Sequence, residues 1–183
     1  MEKQFEFKRA GISDVYLITM KQIEDNRGGI VKIFSKEIFL QNGISFSPNE
    51  EIIIKSSKNV LRGLHFQKGE GQAKLVRVID GKLFCVILDI NKDSNTFGKW
   101  ISIWLDDEYK EIFVPRDCAL GTFAVEDSVF SCYSDGKYVA KDCSGIIWND
   151  TDLNIDWPLK REPVLSKKDQ DLCKFVEYKK YEG

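Results

Sequence analysis

Short apolar runs, each broken by a turn signal, set the pattern of the chain between Glu51 and about Tyr138. Glu51-Ile52-Ile53-Ile54-Lys55, Ala73 to Ile79, Lys82 to Asp89, Lys99 to Leu105 and Glu111 to Pro115 have strand length and are rich in β-branched and aromatic residues, a composition that fits a pleated, half-buried surface. Further strands are predicted at Thr122 to Val125 and Val129 to Tyr133. Asp80-Gly81 separates two of the runs and predicts a two-residue hairpin, because such a turn needs positive backbone angles that Asp and Gly tolerate. No helical period intervenes, so the pattern predicts an antiparallel sandwich or barrel rather than a doubly wound parallel sheet. Helical patterning is confined to the end, where Ser166-Lys167-Lys168-Asp169 caps a short helix running to about Glu177. The stretch from Asn149 to Pro163, with Trp157 and Pro158, reads as an ordered loop.

Composition narrows this picture. With 183 residues, 43% apolar and 12% aromatic, the chain predicts a single domain over 1–183 with a sizeable core of its own. Lys and Arg total 27 against 29 Asp and Glu, a net charge of -2, so a general nucleic-acid coat or a polybasic membrane anchor is disfavoured. The opening Met1-Glu2-Lys3-Gln4-Phe5-Glu6-Phe7-Lys8 alternates charged and aromatic residues and lacks a secretory core. No apolar run approaches the roughly 18 residues of a membrane helix, and a cytoplasmic location is expected. The five cysteines, Cys85, Cys118, Cys132, Cys143 and Cys173, are odd in number and none are spaced as a Cys-x-x-Cys pair, which predicts reduced, mostly buried thiols rather than disulfides or a thiolate zinc site.

Phosphate-binding loops, a dinucleotide fingerprint and a Gly-x-Ser-x-Gly nucleophile turn are all missing from the sequence. The single histidine, His65, rules out a multi-histidine metal site. A lone histidine is as readily structural as functional, but Arg62 lies three residues before it and Lys74 nine after it. On adjacent strands these would gather an imidazole base and two cations. That combination suits removal of a proton next to a carbonyl, with the cations stabilising the enolate oxygen.

Leu61-Arg62-Gly63-Leu64-His65-Phe66-Gln67, Gln72-Ala73-Lys74-Leu75-Val76-Arg77-Val78, Asn95-Thr96-Phe97-Gly98-Lys99-Trp100 and Gly145-Ile146-Ile147-Trp148-Asn149-Asp150 through Ile155-Asp156-Trp157-Pro158 resemble, in order, the dTDP-4-dehydrorhamnose 3,5-epimerase family. Leu165-Ser166-Lys167-Lys168-Asp169 resembles its C-terminal motif. The resemblance implies an all-β cupin jelly-roll barrel with a short C-terminal helical segment, acting as a homodimer without metal or cofactor on a nucleotide-diphospho-4-keto sugar. In the implied mechanism a base removes a proton from carbon 3 or 5 beside the ketone, and reprotonation from the opposite face inverts the centre. By position His65 matches the base and Asp169 its partner, which would fix the imidazole tautomer. Lys74 matches the lysine near the enolate oxygen and Tyr133 the tyrosine that returns a proton. Arg62, Arg27, Lys168, Gln67 and Glu50 match substrate contacts, the arginine forks suiting a diphosphate. Taken singly, Tyr133 would be a core aromatic, Asp169 a helix cap, Lys168 a solvated charge and Arg27 a turn residue.

Departures from the family pattern bear on scope. Gly29 and Ile30 replace aromatic residues after Arg27, Lys32 replaces an acid, and Glu50 and Ile52 stand where the family has Gln and Asn. These changes lead to an expectation of a GDP-linked rather than dTDP-linked sugar, a hexose or a heptose, since Glu50 could accept hydrogen bonds from a guanine edge. Leu120 replaces the family's second histidine and Cys85 an aspartate, which leaves inversion at carbon 3 alone, or at carbons 3 and 5, as alternatives. A surface-polysaccharide or capsule precursor is the product class implied. A 3,4-keto-isomerase and a non-catalytic sugar-nucleotide-binding cupin are the competing readings.

Overall fold

The computed structural model describes residues 4–106 and 109–181, so the opening Met1-Glu2-Lys3 lies outside the described residues. In chain order the strands are β1 (Phe5–Arg9), β2 (Tyr16–Met20), β3 (Gln22–Asp25), β4 (Gly28–Val31), β5 (Pro48–Ser56), β6 (Leu61–Gln67), β7 (Lys74–Asp80), β8 (Leu83–Asp89), β9 (Trp100–Leu105), β10 (Lys110–Val114), β11 (Cys118–Ala124), β12 (Ser128–Asp135) and β13 (Cys143–Gly145). The helices are α1 (Lys36–Gln41), α2 (Lys167–Gln170) and α3 (Phe175–Tyr181). A six-stranded sheet runs β1-β2-β10-β7-β12-β5, a five-stranded sheet runs β13-β6-β11-β8-β9, and β3-β4 form a separate hairpin. The result is the all-β jelly roll expected from the sequence. Every predicted strand is present, with β11 beginning four residues before the predicted Thr122.

Side-chain alternation explains the layers. Leu83, Cys85 and Ile87 of β8 point into the barrel with Val76, Ile112, Leu120 and Phe130. Phe84, Val86 and Leu88 of the same strand point outward under Ile146, Trp157 and Phe175. Covered on both faces, β8 is buried at every position, which is why its sequence is apolar from Leu83 to Leu88. The outer face of the six-stranded sheet is covered by the α1 region, where Phe39 and Phe46 pack on Phe5 of β1 and Phe113 of β10.

The Asp80-Gly81 prediction is corrected. β7 pairs with β10 and β12, and β8 with β9 and β11, so the turn carries the chain from one sheet to the other instead of closing a hairpin. Gly81 is required there: its φ is +85°, and a Cβ would stand 2.4 Å from the Asp127 carbonyl oxygen. The predicted C-terminal helix is broken in two, with α2 ending at Gln170 and α3 starting at Phe175. α1 carried no recognised signal. The loop from Asn149 to Pro163 is ordered by buried polar contacts: the Asp150 carboxylate accepts from the backbone N–H groups of Asp152, Leu153 and Phe175 at 2.9, 3.1 and 2.8 Å, and Trp157 Nε1 donates to the Trp148 carbonyl at 2.8 Å. None of the five cysteines is in a disulfide.

Candidate active site

His65 sits near the end of β6, with Leu120 of β11 opposite it on one side and Gly145 of β13 on the other. Two residues upstream, Gly63 has a φ of +105°, and a Cβ there would lie 2.6 Å from the Leu120 carbonyl oxygen. Glycine in Arg62-Gly63-Leu64-His65 therefore permits the close approach of β6 to β11 that sets the imidazole in the barrel mouth. A cavity of about 270 Å³ opens before it, lined by Glu50, Ile52, Gln67, Gln72, Lys74, Cys132, Ser134, Tyr138, Cys143, Ser144 and Lys168 as well as His65. This is small for a whole nucleotide sugar, since ligand pockets usually span about 300–1,000 Å³; it has room for the sugar ring and leaves the nucleotide at the mouth. A larger groove of about 800 Å³ lies beside β1 and the β3-β4 hairpin, lined by residues such as Gln4, Phe7, Ile23 and Lys32. The chain's single histidine lines the smaller cavity and not this groove, so the smaller cavity is the candidate site.

His65 Nε2 meets Asp169 Oδ1 at 2.5 Å. Asp169 reaches it from α2, where Ser166 caps the helix by accepting from the Asp169 backbone N–H at 3.1 Å, while the Ser166 hydroxyl donates to Asp169 Oδ2 at 2.8 Å. Burial by itself would raise the Asp169 carboxyl, but hydrogen bonds from His65, Ser166 and the Gly63 backbone outweigh it and hold the group below the usual carboxylate range. An ionised Asp169 accepts the Nε2 proton. That leaves Nδ1 as the basic nitrogen of the ring.

Lys74 opens β7, in register with Val114 and Ser134. Its ammonium lies 3.5 Å from the His65 carbonyl oxygen, and burial pulls it below the ordinary lysine value against the opposing influence of the Cys132, Cys143 and Cys118 thiols. An ammonium beside an imidazole is an arrangement that can stabilise a developing enolate oxygen. Among the described residues, no three His, Cys, Asp or Glu side chains gather as a metal-binding group.

The structure brings His65, Asp169, Lys74, Lys168, Gln67 and Glu50 together, all but Asp169 lining the cavity and Asp169 standing directly behind His65. It does not bring Tyr133. Cys132 and Ser134 of β12 face the cavity, so the intervening Tyr133 faces the other side of the sheet, packed against the Phe-rich outer layer. Burial, then the Glu51 charge and hydrogen bond, raise its hydroxyl above the usual tyrosine value. Tyr138 occupies the cavity in its place, its hydroxyl raised by a hydrogen bond with Cys143 and so kept protonated. Arg62, expected beside His65, does not line this cavity; it donates to Ser56 Oγ at 3.0 Å and to the Lys55 carbonyl at 3.1 Å, both on β5. Arg27 is on the turn of the exposed hairpin, paired with Asp25 at 2.6 Å, and does not line this cavity. Gln67 lines the cavity, yet both ends of its carboxamide are engaged by the backbone around Tyr138.

Known proteins resemble this chain along most of its length. The sequence pattern of the family described as dTDP-4-dehydrorhamnose 3,5-epimerase matches residues 9–177. The dTDP-4-dehydrorhamnose 3,5-epimerase of Methanothermobacter thermautotrophicus is 36% identical over 172 residues, covering 92% of this chain and 93% of that protein. The crystal structure of dTDP-4-dehydrorhamnose 3,5-epimerase from Elizabethkingia anophelis superposes with a TM-score of 0.90 at 33% identity, covering 96% of this chain and 98% of that one. A third is dTDP-6-deoxy-D-glucose-3,5-epimerase from Legionella pneumophila, solved with dTDP-4-keto-L-rhamnose, with a TM-score of 0.88, 29% identity and coverage of 93% and 92%.

Proposed function

The chain belongs to the dTDP-4-dehydrorhamnose 3,5-epimerase family and is an isomerase of the nucleotide-sugar epimerase type, and from that premise we propose that it inverts carbons 3 and 5 of a dTDP-linked 4-keto-6-deoxyhexose. The observation that carries the reading is the 2.5 Å contact of His65 with a buried, ionised Asp169 at the wall of a sugar-sized cavity. His65 Nδ1 takes the proton from the carbon beside the ketone, and Asp169 stabilises the imidazolium that forms. Lys74 stabilises the enolate oxygen. Tyr138, not Tyr133, returns a proton from the opposite face; its hydroxyl is protonated and it lines the same cavity. Lys168 and Glu50 stand at the mouth toward the nucleotide.

The nucleotide is proposed as dTDP because relatives matching more than nine-tenths of their length, and a neighbour holding a dTDP-4-keto sugar, carry that name. The GDP expectation drawn from Glu50 is weaker: Glu50 does line the cavity, but one carboxylate is slender support against those matches. A homodimer is also proposed, since Ile23 and Ile30, opposite each other on the hairpin, are 61% and 72% exposed, an apolar surface that a second copy would cover. The test is proton NMR in deuterium oxide with dTDP- and GDP-linked 4-keto-6-deoxy sugars. Deuterium at carbons 3 and 5 of the dTDP substrate is expected, abolished by His65→Asn. Incorporation at carbon 3 alone, or only with GDP, would replace the proposal by a narrower or a guanosine-specific epimerase.

A further inference from the structure

We infer that Gln67 is a positioning residue for Tyr138: its carboxamide clasps the chain on both sides of the tyrosine and holds the hydroxyl over the cavity. This rests on the assignment of Tyr138 as the opposite-face acid.

β12 ends at Asp135, and Gly136, with a φ of +72°, turns the chain out of the sheet. From Lys137 to Val139 the backbone belongs to no strand. Gln67 replaces the missing strand neighbour. Its Nε2 donates to the Lys137 carbonyl at 2.9 Å and its Oε1 accepts from the Val139 N–H at 2.8 Å, one donor and one acceptor spanning the residue between. This pairing also fixes which end of the amide is nitrogen. Upstream the same segment is anchored by Asp135, which accepts from the Ala73 N–H at 2.8 Å and pairs with Arg116 at 2.7 Å. Tyr138 itself is 56% exposed, so packing does little to place its ring; the two backbone anchors set where the residue stands, and its hydroxyl then reaches Cys143.

The clasp also couples acid to base. Gln67 and His65 are two residues apart on β6 and share the cavity face. The separation between the imidazole and the Tyr138 segment is therefore set through one strand. Gln67 is only 8% exposed, so water cannot readily take over a bond that is lost, and a glutamate would oppose the Lys137 carbonyl with a second acceptor.

The test separates two rates for a dTDP-linked 4-keto-6-deoxy sugar in deuterium oxide. His65 alone can exchange a proton and return it to the same face, labelling unchanged substrate; inversion needs the acid as well. Gln67→Leu is expected to slow formation of inverted product about tenfold or more while label in unchanged substrate forms within about twofold of wild type. Gln67→Glu, which keeps the side chain's length, serves as the second variant and is expected to show the same split. In a Tyr138→Phe background Gln67→Leu is expected to add nothing to the loss of inversion. Equal loss of exchange and inversion, or the same loss in the Tyr138→Phe background, would make Gln67 a substrate contact or a fold residue and overturn the inference. Tyr138→Phe inverting at the wild-type rate would instead remove the acid assignment itself, whatever the Gln67 variants do.

Discussion

Asp169→Asn probes the dyad at its shortest contact and changes charge with almost no change of shape. The side chain is 5% exposed, and an amide oxygen can still accept from Ser166, so the α2 cap survives. What is lost is a charge-assisted hydrogen bond to the imidazolium, worth about 1.5–3 kcal/mol. At about 1.4 kcal/mol per decade this slows proton abstraction between about tenfold and a hundredfold. The upper end is expected, because an amide N–H facing Nε2 drives the ring proton to Nδ1 and takes away the basic nitrogen. Deuterium incorporation followed by proton NMR measures the rate, and calorimetric titration with dTDP is expected to show unchanged binding. A second readout comes from linkage. The Asp169 carboxyl is held below its ordinary value of 3.8 in the fold, so its stabilisation is complete above that value and is lost as pH falls through the lower, folded one. The variant should melt below wild type near neutral pH, with the gap closing in strong acid. Exchange within threefold of wild type, or a gap that persists in acid, would refute the dyad.

Three further outcomes follow from the same geometry. Tyr138→Phe should cost inversion about a hundredfold, the usual scale for one general acid, whereas Tyr133→Phe, on the outer face of the sheet, should leave the rate within about twofold; steady-state assays of both variants compare them directly. Lys74→Met should lower kcat by about a hundredfold or more through loss of enolate stabilisation, with a melting temperature at or above wild type because a buried ammonium no longer has to be desolvated. Glu111, whose burial outweighs the neighbouring Arg77, is pushed up from 4.5 to about 8, so the folded state keeps a proton that the unfolded chain releases. Between those values the group makes stability fall with rising pH by up to about 1.4 kcal/mol per unit. Glu111→Gln should flatten that slope and gain on wild type toward pH 8 in urea titrations across the range.

The seven strands predicted between Glu51 and Tyr133 were legible because each is short, bounded by turn residues and apolar on at least one face, whereas β1 to β4, β6 and β13 were not predicted, the exposed β3 and β4 offering no apolar face to read. Sheet membership was not. Asp80-Gly81 has the composition of a hairpin turn, and only the pairing of β7 with β12 and of β8 with β11 shows that it crosses between sheets. α1 was hidden because Lys36-Glu37-Ile38-Phe39-Leu40-Gln41 is too short to display a period and buries only Phe39. That His65, Asp169 and Lys74 come together was readable from motif order, since each sits inside or beside a regular element whose register is rigid. Tyr133 failed on parity. Cys132 and Ser134 face inward, and a strand residue between them cannot. Gly136 then ends the alternation, so that the inward tyrosine is found two residues beyond it; a glycine just after a predicted strand was the one signal that the count of faces starts again.

The same parity argument gives meaning to the two apolar departures. Leu120 stands across from His65, and Cys85 lies deeper on β8 in the barrel interior, its thiol pushed up to about 12 by burial. Leu120 has no proton to exchange and the Cys85 thiol keeps its own at neutral pH, so neither serves as an acid or a base beneath His65. In the function proposed above, proton chemistry belongs to the rim, to His65 backed by Asp169, to Lys74 and to Tyr138. With one histidine in the chain, two centres can be inverted only if the sugar presents carbons 3 and 5 in turn to the same imidazole. Scope therefore turns on whether the ring can reorient inside about 270 Å³, a matter of cavity shape and of how firmly the mouth grips the nucleotide. The departures at Leu120 and Cys85 thus leave the base intact and place the choice between one inversion and two in the walls around the sugar.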